Sequence, residues 1–110
     1  MDIFEKLKSG EPVDMMSAEY RPAVEELQRA NIALYRLNNT EPTPENLKKG
    51  FDELFDGTYP DSAAIFTPVQ IDFPKQITFG KNVFINHSFT AMSIGGIVIG
   101  DNVQIGPNGQ

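Results

Sequence analysis

Among the 110 residues, one side chain is naturally suited to moving a proton near neutral pH: His87, the sole histidine. It follows Asn86, whose amide can donate and accept hydrogen bonds at once. The pair lies in the phrase VFINHS (83–88), where Asn86 takes the place that neighbouring phrases give to glycine. Cysteine is absent, which removes disulfides and thiolate metal sites. A single histidine also excludes zinc sites built from two or three histidines of one subunit.

The elements that must position this pair are written in short repeated phrases. From Ile77 the sequence reads ITFGKN, VFINHS, then the eight-residue FTAMSIGG, then IVIGDN and VQIGPN. Apolar residues alternate within each phrase, so each apolar-x-apolar triplet is a short strand with two side chains on one face. Gly80, Gly100 and Gly106, with Asn82, Asn102 and Asn108, read as corners, because Gly and Asn tolerate positive φ. A fixed short period is the signature of a β-helix, with three strands and three corners making a triangular coil of about eighteen residues. The eight-residue phrase reads as a small bulge or loop at one corner. The spacing places Phe79, Ile85, Ile99 and Ile105 inside. The alternative is an antiparallel sheet, whose strands are usually longer, about 5–6 residues.

Residues 1–60 read as a helical region and residues 61–110 as the start of the β-helix. The spacing predicts helices over Ile3–Ser9, from about Ser17 or Pro22 to Asn39, and from Pro44 with Thr43 as its N-cap. Ala23, Leu27, Ala30, Leu34 and Leu37 form the stripe of the second helix, and Leu47, Phe51, Leu54 and Phe55 that of the third. Glu25 and Arg29 are spaced to form an i,i+4 pair. DGTYPD (56–61) is turn chemistry and the boundary. Residues 63–76, interrupted by Pro68 and Pro74, read as lead-in strands or an irregular first coil.

The net charge of -6 and pI near 4.6 argue against nucleic acid, whose phosphates need a basic face. No apolar run has the length of a membrane-spanning helix, and MDIFEKLKSG has no signal-peptide core. These features fit a cytoplasmic protein. Fewer than two coils follow Gln76, and the last has no polar cap. Either the helices and other subunits cover the open edge, or the sequence is a shortened version of a longer protein.

The motifs GEPVDMMS, YRLNN, PVQIDFPKQITFGKNVFINHSFTAMSIGG and IVIGDNVQIGPN together resemble the maltose and galactoside O-acetyltransferase family, over essentially the whole chain. The resemblance implies a left-handed parallel β-helix behind an N-terminal helical region. It also implies a homotrimer with active sites between subunits, and acetyl transfer from acetyl-CoA to the hydroxyl of a sugar-like acceptor. The family's general base is a histidine in a segment one strand beyond Gln110. The resemblance therefore implies a chain truncated before its catalytic base, lacking most of the acetyl-CoA groove and inactive by itself. A non-catalytic remnant or trimer-forming assembly module is the alternative. A hexapeptide-repeat carbonic anhydrase would need three zinc-binding histidines and fails on histidine count.

By the same resemblance, Asp14, Asp72 and Asn86 are the acceptor-binding residues, no residue of this chain is catalytic and no metal is bound. A carboxylate accepting hydrogen bonds from two hydroxyls suits polyol recognition. Three positions depart from the family pattern. Ser93 and Ile94 stand where galactoside-type members carry two acidic residues, Phe84 replaces a tyrosine, and Leu27 replaces an arginine that contacts acceptor in some members. Acceptor identity is therefore not carried over.

Overall fold

Helix α1 (Ile3–Ser9) begins where the Asp2 carboxylate accepts the Glu5 N–H at 2.9 Å, and ends at Gly10, whose φ of 79° is left-handed. These ends belong to a computed structural model, which describes residues 2–109. A 3₁₀ turn (Ala18–Tyr20) precedes α2 (Arg21–Asn39), whose first turn holds Pro22. Ser17 does not cap this segment with its side chain; its hydroxyl donates back to Asp14 O at 2.7 Å. Helix α3 (Pro44–Leu54) is capped by Thr43, whose Oγ1 accepts the Asn46 N–H at 3.2 Å.

The expected Glu25–Arg29 pair does not form. Arg29 lies toward the end of α3 and donates to Glu53 O at 2.9 Å and Leu54 O at 2.8 Å, where the helix dipole favours a cation. Glu26 shares that buried side and takes the ion pair, while Glu25 is exposed. The stripe of α2 is otherwise as expected, with Ala23, Ala30, Leu34 and Leu37 buried, Leu27 half-buried and Ala33 added.

The strands are β1 (Ala64–Ile65), β2 (Val69–Ile71), β3 (Ile77–Phe79), β4 (Phe84–Ile85), β5 (Phe89–Ala91), β6 (Ile97–Ile99) and β7 (Gln104–Ile105). They build three parallel sheets, β1-β4-β7, β2-β5 and β3-β6, so successive strands visit three faces in turn. This is a coiled parallel architecture and excludes the antiparallel alternative. Every pairing joins residues twenty apart, as in Ala64 with Phe84, Val69 with Phe89 and Ile77 with Ile97. The coil is thus twenty residues long, not eighteen.

The two-residue excess is not a local bulge. VQIDFPKQ (69–76) and FTAMSIGG (89–96) are both eight residues long and stack on one another, so the same long corner recurs in each coil. It follows that 63–76 is no irregular lead-in: the first coil is regular and starts near Ala63. Pro68 lies between β1 and β2, and Pro74 sits in a 3₁₀ turn (Pro74–Gln76), both between strands where no ladder hydrogen bond is lost.

The corners also differ in detail from expectation. The left-handed residues of the coil corners are Asn82, Ser88, Gly96, Asn102 and Asn108, with φ of 58°, 63°, 88°, 59° and 61°. The glycines before them are not at positive φ. Gly80 is required by proximity instead, because a Cβ there would meet Gly100 C and Asp101 Oδ1 at 2.5 Å. Asp101 uses this closeness, its Oδ1 accepting the Lys81 N–H at 2.7 Å.

Helices and coils share one core. Ile85 and Phe55 are fully buried, and Ile99 nearly so. Phe79 and Ile105 are half-buried and pack against the same cluster. Tyr59 stacks on Phe51 at 4.9 Å, and Phe79 meets Phe55 edge-on at 5.2 Å, so aromatic rings join α3 to the coil.

The helical side closes the outer edges of the first coil. The Asn38 amide grips Val69 from both sides, donating to its carbonyl at 2.8 Å and accepting its N–H at 2.9 Å. Ala64 and Phe66 turn their N–H groups to the second coil, so the polar groups of Ala63 and Ile65 face the other way. There the Tyr59 hydroxyl donates to Ala63 O at 3.2 Å. Burial pushes the Tyr59 hydroxyl pKa up to about 12. At the third face Gln76 Nε2 donates to Phe4 O at 3.2 Å.

Candidate functional site

The long corner after β2 fixes the first candidate. Asp72 is half-buried, and its Oδ1 accepts the Phe73 N–H at 2.8 Å and the Ser93 N–H at 2.7 Å. Ser93 Oγ lies 3.2 Å from the same oxygen. All these bonds converge on Oδ1, and among the described residues none reaches Oδ2. One carboxylate oxygen is thus held by the fold, while the other accepts no hydrogen bond from the described residues.

Asp14 lies on the connector between α1 and the 3₁₀ turn. It is exposed, and its Oδ1 accepts the Met16 N–H at 2.9 Å while its carbonyl accepts from Ser17. Its neighbour Val13 packs in a small apolar cluster that contains Phe73, Ile94 and Leu27. The connector and the Asp72 corner are therefore parts of one region.

Asn86 belongs to a different corner, between β4 and β5. It is half-buried; its N–H donates to Ile105 O at 2.9 Å and its Oδ1 accepts the His87 N–H at 2.8 Å. It is not among the left-handed residues, so corner conformation does not explain an asparagine here; Ser88 makes the turn. His87 is exposed, with Nδ1 3.1 Å from Ser88 Oγ. The structure therefore brings Asp14 and Asp72 to one region and leaves Asn86 and His87 at another.

The clefts lie elsewhere. The largest of those described, about 730 Å³, runs between α3 and β1 and is lined by Phe51, Tyr59, Ile65 and Phe66. A polar cleft of about 420 Å³ is lined by Asn38, Gln70, Ser88, Thr90 and Asn108. Neither contains Asp14, Asp72 or Asn86. The cations Arg29, Arg36, Lys48 and Lys75 are each paired with carboxylates, which makes them poor holders for the phosphates of a nucleotide-bearing co-substrate. Among the described residues no three acidic or histidine side chains gather into a metal site.

Sequence reasoning missed Ser93 as a structural residue. It is completely buried and tied to Phe73 and Asp72. The signal was available: on the twenty-residue register Ser93 falls opposite Phe73, making it a polar residue in an inward place. Asn38 was also missed because its partner Val69 lies 31 residues away, while Glu26 and Tyr59 have near partners, Arg29 and Ala63, that are selected only by the packing around them.

No model of a known protein family matches the sequence. A protein of Saccharomyces cerevisiae named "Putative acetyltransferase" is 31% identical over 109 residues, covering 98% of this chain and 54% of its own length. Galactoside O-acetyltransferase of Escherichia coli is 26% identical over 80 residues, covering 73% and 39%. The crystal structure of a maltose O-acetyltransferase from Clostridium difficile superposes with a TM-score of 0.82 at 27% identity, over 98% of this chain and 56% of that one. A hexapeptide-repeat acetyltransferase from Vibrio cholerae, complexed with acetyl-CoA, gives 0.72 at 26% identity over the same shares, 98% and 56%. The chain spans about half the length of the relatives it matches along its whole length.

Proposed function

This chain is a relative of the maltose and galactoside O-acetyltransferases, and from that premise we propose that it supplies the acceptor side of an acetyl-CoA-dependent O-acetyltransferase. The acceptor is a sugar or related polyol. The supporting observation is Asp72, a half-buried carboxylate with one oxygen fixed by the fold and the other left for a hydroxyl donor. Asp14 reaches the same region from the connector. Asn86 completes the acceptor contacts from the neighbouring subunit of a homotrimer, since within one chain it stands at another corner. The coils are left-handed, residues 1–60 act as a cap on residues 61–110, and the protein is cytoplasmic; no helix among the described residues is long and apolar enough to cross a membrane.

In such a transfer the acceptor oxygen bonds to the thioester carbonyl carbon, its proton passes to a base, and coenzyme A leaves as the thiol. Acetyl-CoA supplies the acetyl group; the residues of this chain bind and orient the hydroxyl. His87 is not the base. It is exposed and occupied with its own neighbour Ser88. As a separate polypeptide the chain has no turnover, because a positioned base typically supplies about 10²–10⁴ in rate and binding without transition-state contacts does not replace it. A thiol-release assay with acetyl-CoA and a panel of sugars tests this. No release is expected from the parent or from His87→Ala; release that vanishes in His87→Ala would make His87 the base.

A second reading, a non-catalytic trimer-forming module, is favoured by the exposure of Met92 and Val98, 81% and 82%. It shares the expectation of self-association in analytical ultracentrifugation but not that of sugar binding at Asp72.

A further inference from the structure

We propose that Ser93 is a positioning residue that sets the orientation of the Asp72 carboxylate for an acceptor hydroxyl. The proposal rests on the reading of Asp72 as an acceptor ligand. Ile71 pairs with Ala91 across β2 and β5, and the chain enters the long corner of each coil immediately afterwards. Two residues past Ala91, Ser93 is completely buried. Its Oγ is 2.7 Å from Phe73 O and 3.2 Å from Phe73 N. A hydroxyl has one proton and two lone pairs. The shorter contact takes the proton, so Oγ donates to Phe73 O and accepts the Phe73 N–H.

That N–H also points at Asp72 Oδ1, 2.8 Å away, and the Ser93 N–H reaches the same oxygen at 2.7 Å. The result is a closed ring of hydrogen bonds spanning two coils. It holds one carboxylate oxygen with two backbone donors, one from each coil, and so fixes the side-chain rotamer before any ligand arrives. Ligand binding then carries no cost of freezing that rotamer, which is the physical content of preorganisation. Without the Ser93 hydroxyl, the Phe73 N–H and C=O lose the side-chain clamp that ties them to the second coil, and Oδ1 is held by the two backbone N–H groups alone.

The direct readout needs no sugar. Three-bond couplings to the Asp72 ¹³Cγ report its χ1. A single rotamer is expected in the parent and in Ser93→Thr, and rotamer averaging in Ser93→Ala. Should Ser93→Ala fail to fold, Ser93→Cys, nearly isosteric with a weak sulfur donor, gives the same reading. Unchanged couplings in the folded Ala or Cys variant overturn the proposal. The second readout is affinity for maltose and methyl galactoside by NMR titration. Ser93→Ala is expected to weaken binding about five- to tenfold, with Ser93→Thr recovering most of it, and to have no further effect in an Asp72→Ala background. A loss that persists in the Asp72→Ala background overturns the positioning role. If the parent binds neither sugar, the acceptor reading of Asp72 fails, and the couplings alone decide whether Ser93 orients it.

Discussion

The two ends of the coil are built on opposite terms. At the first coil residues 1–60 meet each face: the Tyr59 hydroxyl at β1, the Asn38 amide of α2 at β2, and beside β3 the Phe4 carbonyl of α1, which accepts from the coil's own Gln76 side chain. Aromatic rings of α3 and the loop after it fill the space beneath, with Phe51, Phe55 and Tyr59 stacked in sequence. At the other end β5 and β6 carry no third strand among the described residues, although the Thr90 N–H donates to Gly109 O at 2.9 Å, and a cleft of about 370 Å³ opens onto Phe89, Ala91, Ile97, Ile99 and Ile105. The same hexad side chains face both ends. What differs is that the first coil's edge groups and apolar section are met by residues 1–60, which lie outside the repeat.

The comparison is tested most severely by placing a charge in equivalent inward positions. Ile85 is fully buried between coils, whereas Ile99 lines the open cleft. Ile85→Asp is expected to remove more stability than the lower end of a typical domain's total, about 5 kcal/mol, and to leave no folded protein. Ile99→Asp should cost several kcal/mol less than that, because its carboxylate can reach water. Urea melts of the two variants decide it. A parent-like melt for Ile99→Asp would show that the inward register is wrong.

Truncation sharpens the same contrast. Phe55→Ala, at the covered end, should cost about 3–5 kcal/mol, as expected for a buried aromatic ring. Ile105→Ala, half-buried at the open end, should cost less than about 2 kcal/mol. Equal losses would mean that the open end is covered in solution, and a concentration-dependent melt for Ile105→Ala would identify the cover as a second copy.

Removing one edge clasp has a smaller effect. Asn38→Ala leaves the Val69 N–H and C=O without partners, a loss of about 1–3 kcal/mol. Tyr59→Phe removes one hydrogen bond but keeps the ring, and its mark is a change in pH dependence. The folded hydroxyl, near 12, stands above its ordinary 10.0. The unfolded chain therefore releases this proton first, and the stability contributed by neutral Tyr59 is complete below about pH 10 and lost as pH rises through 12. Chemical melts at high pH should fall less steeply for Tyr59→Phe than for the parent.

Much of the scaffold could be read directly. Thr43 before Pro44, and Gly10 after Ser9, are local signals, and both helix ends lie where those residues put them. Inward alternation in the hexads was equally visible, because period-two patterning is local. Coil length was not, since FTAMSIGG looks like an interruption until VQIDFPKQ is laid beneath it and found to have the same eight residues. The electrostatic partners were hidden for a related reason. Arg29 chooses Glu26 over Glu25 because the end of α3 lies on that side, which depends on packing 24 and 25 residues away. At the candidate site, Asp72 could be singled out, but the bonds that aim it come from a coil twenty-one residues later.

The measurement closest to the central claim is a ¹H–¹⁵N titration of the 110-residue protein with maltose and methyl galactoside, run beside Asp72→Ala. The account predicts saturable shifts at the amides of Phe73 and Ser93, which donate to the Asp72 carboxylate, with smaller shifts near Asp14, all abolished in the variant. Shifts that survive Asp72→Ala, or that gather in the cleft between α3 and β1 with none at the long corner, would contradict it.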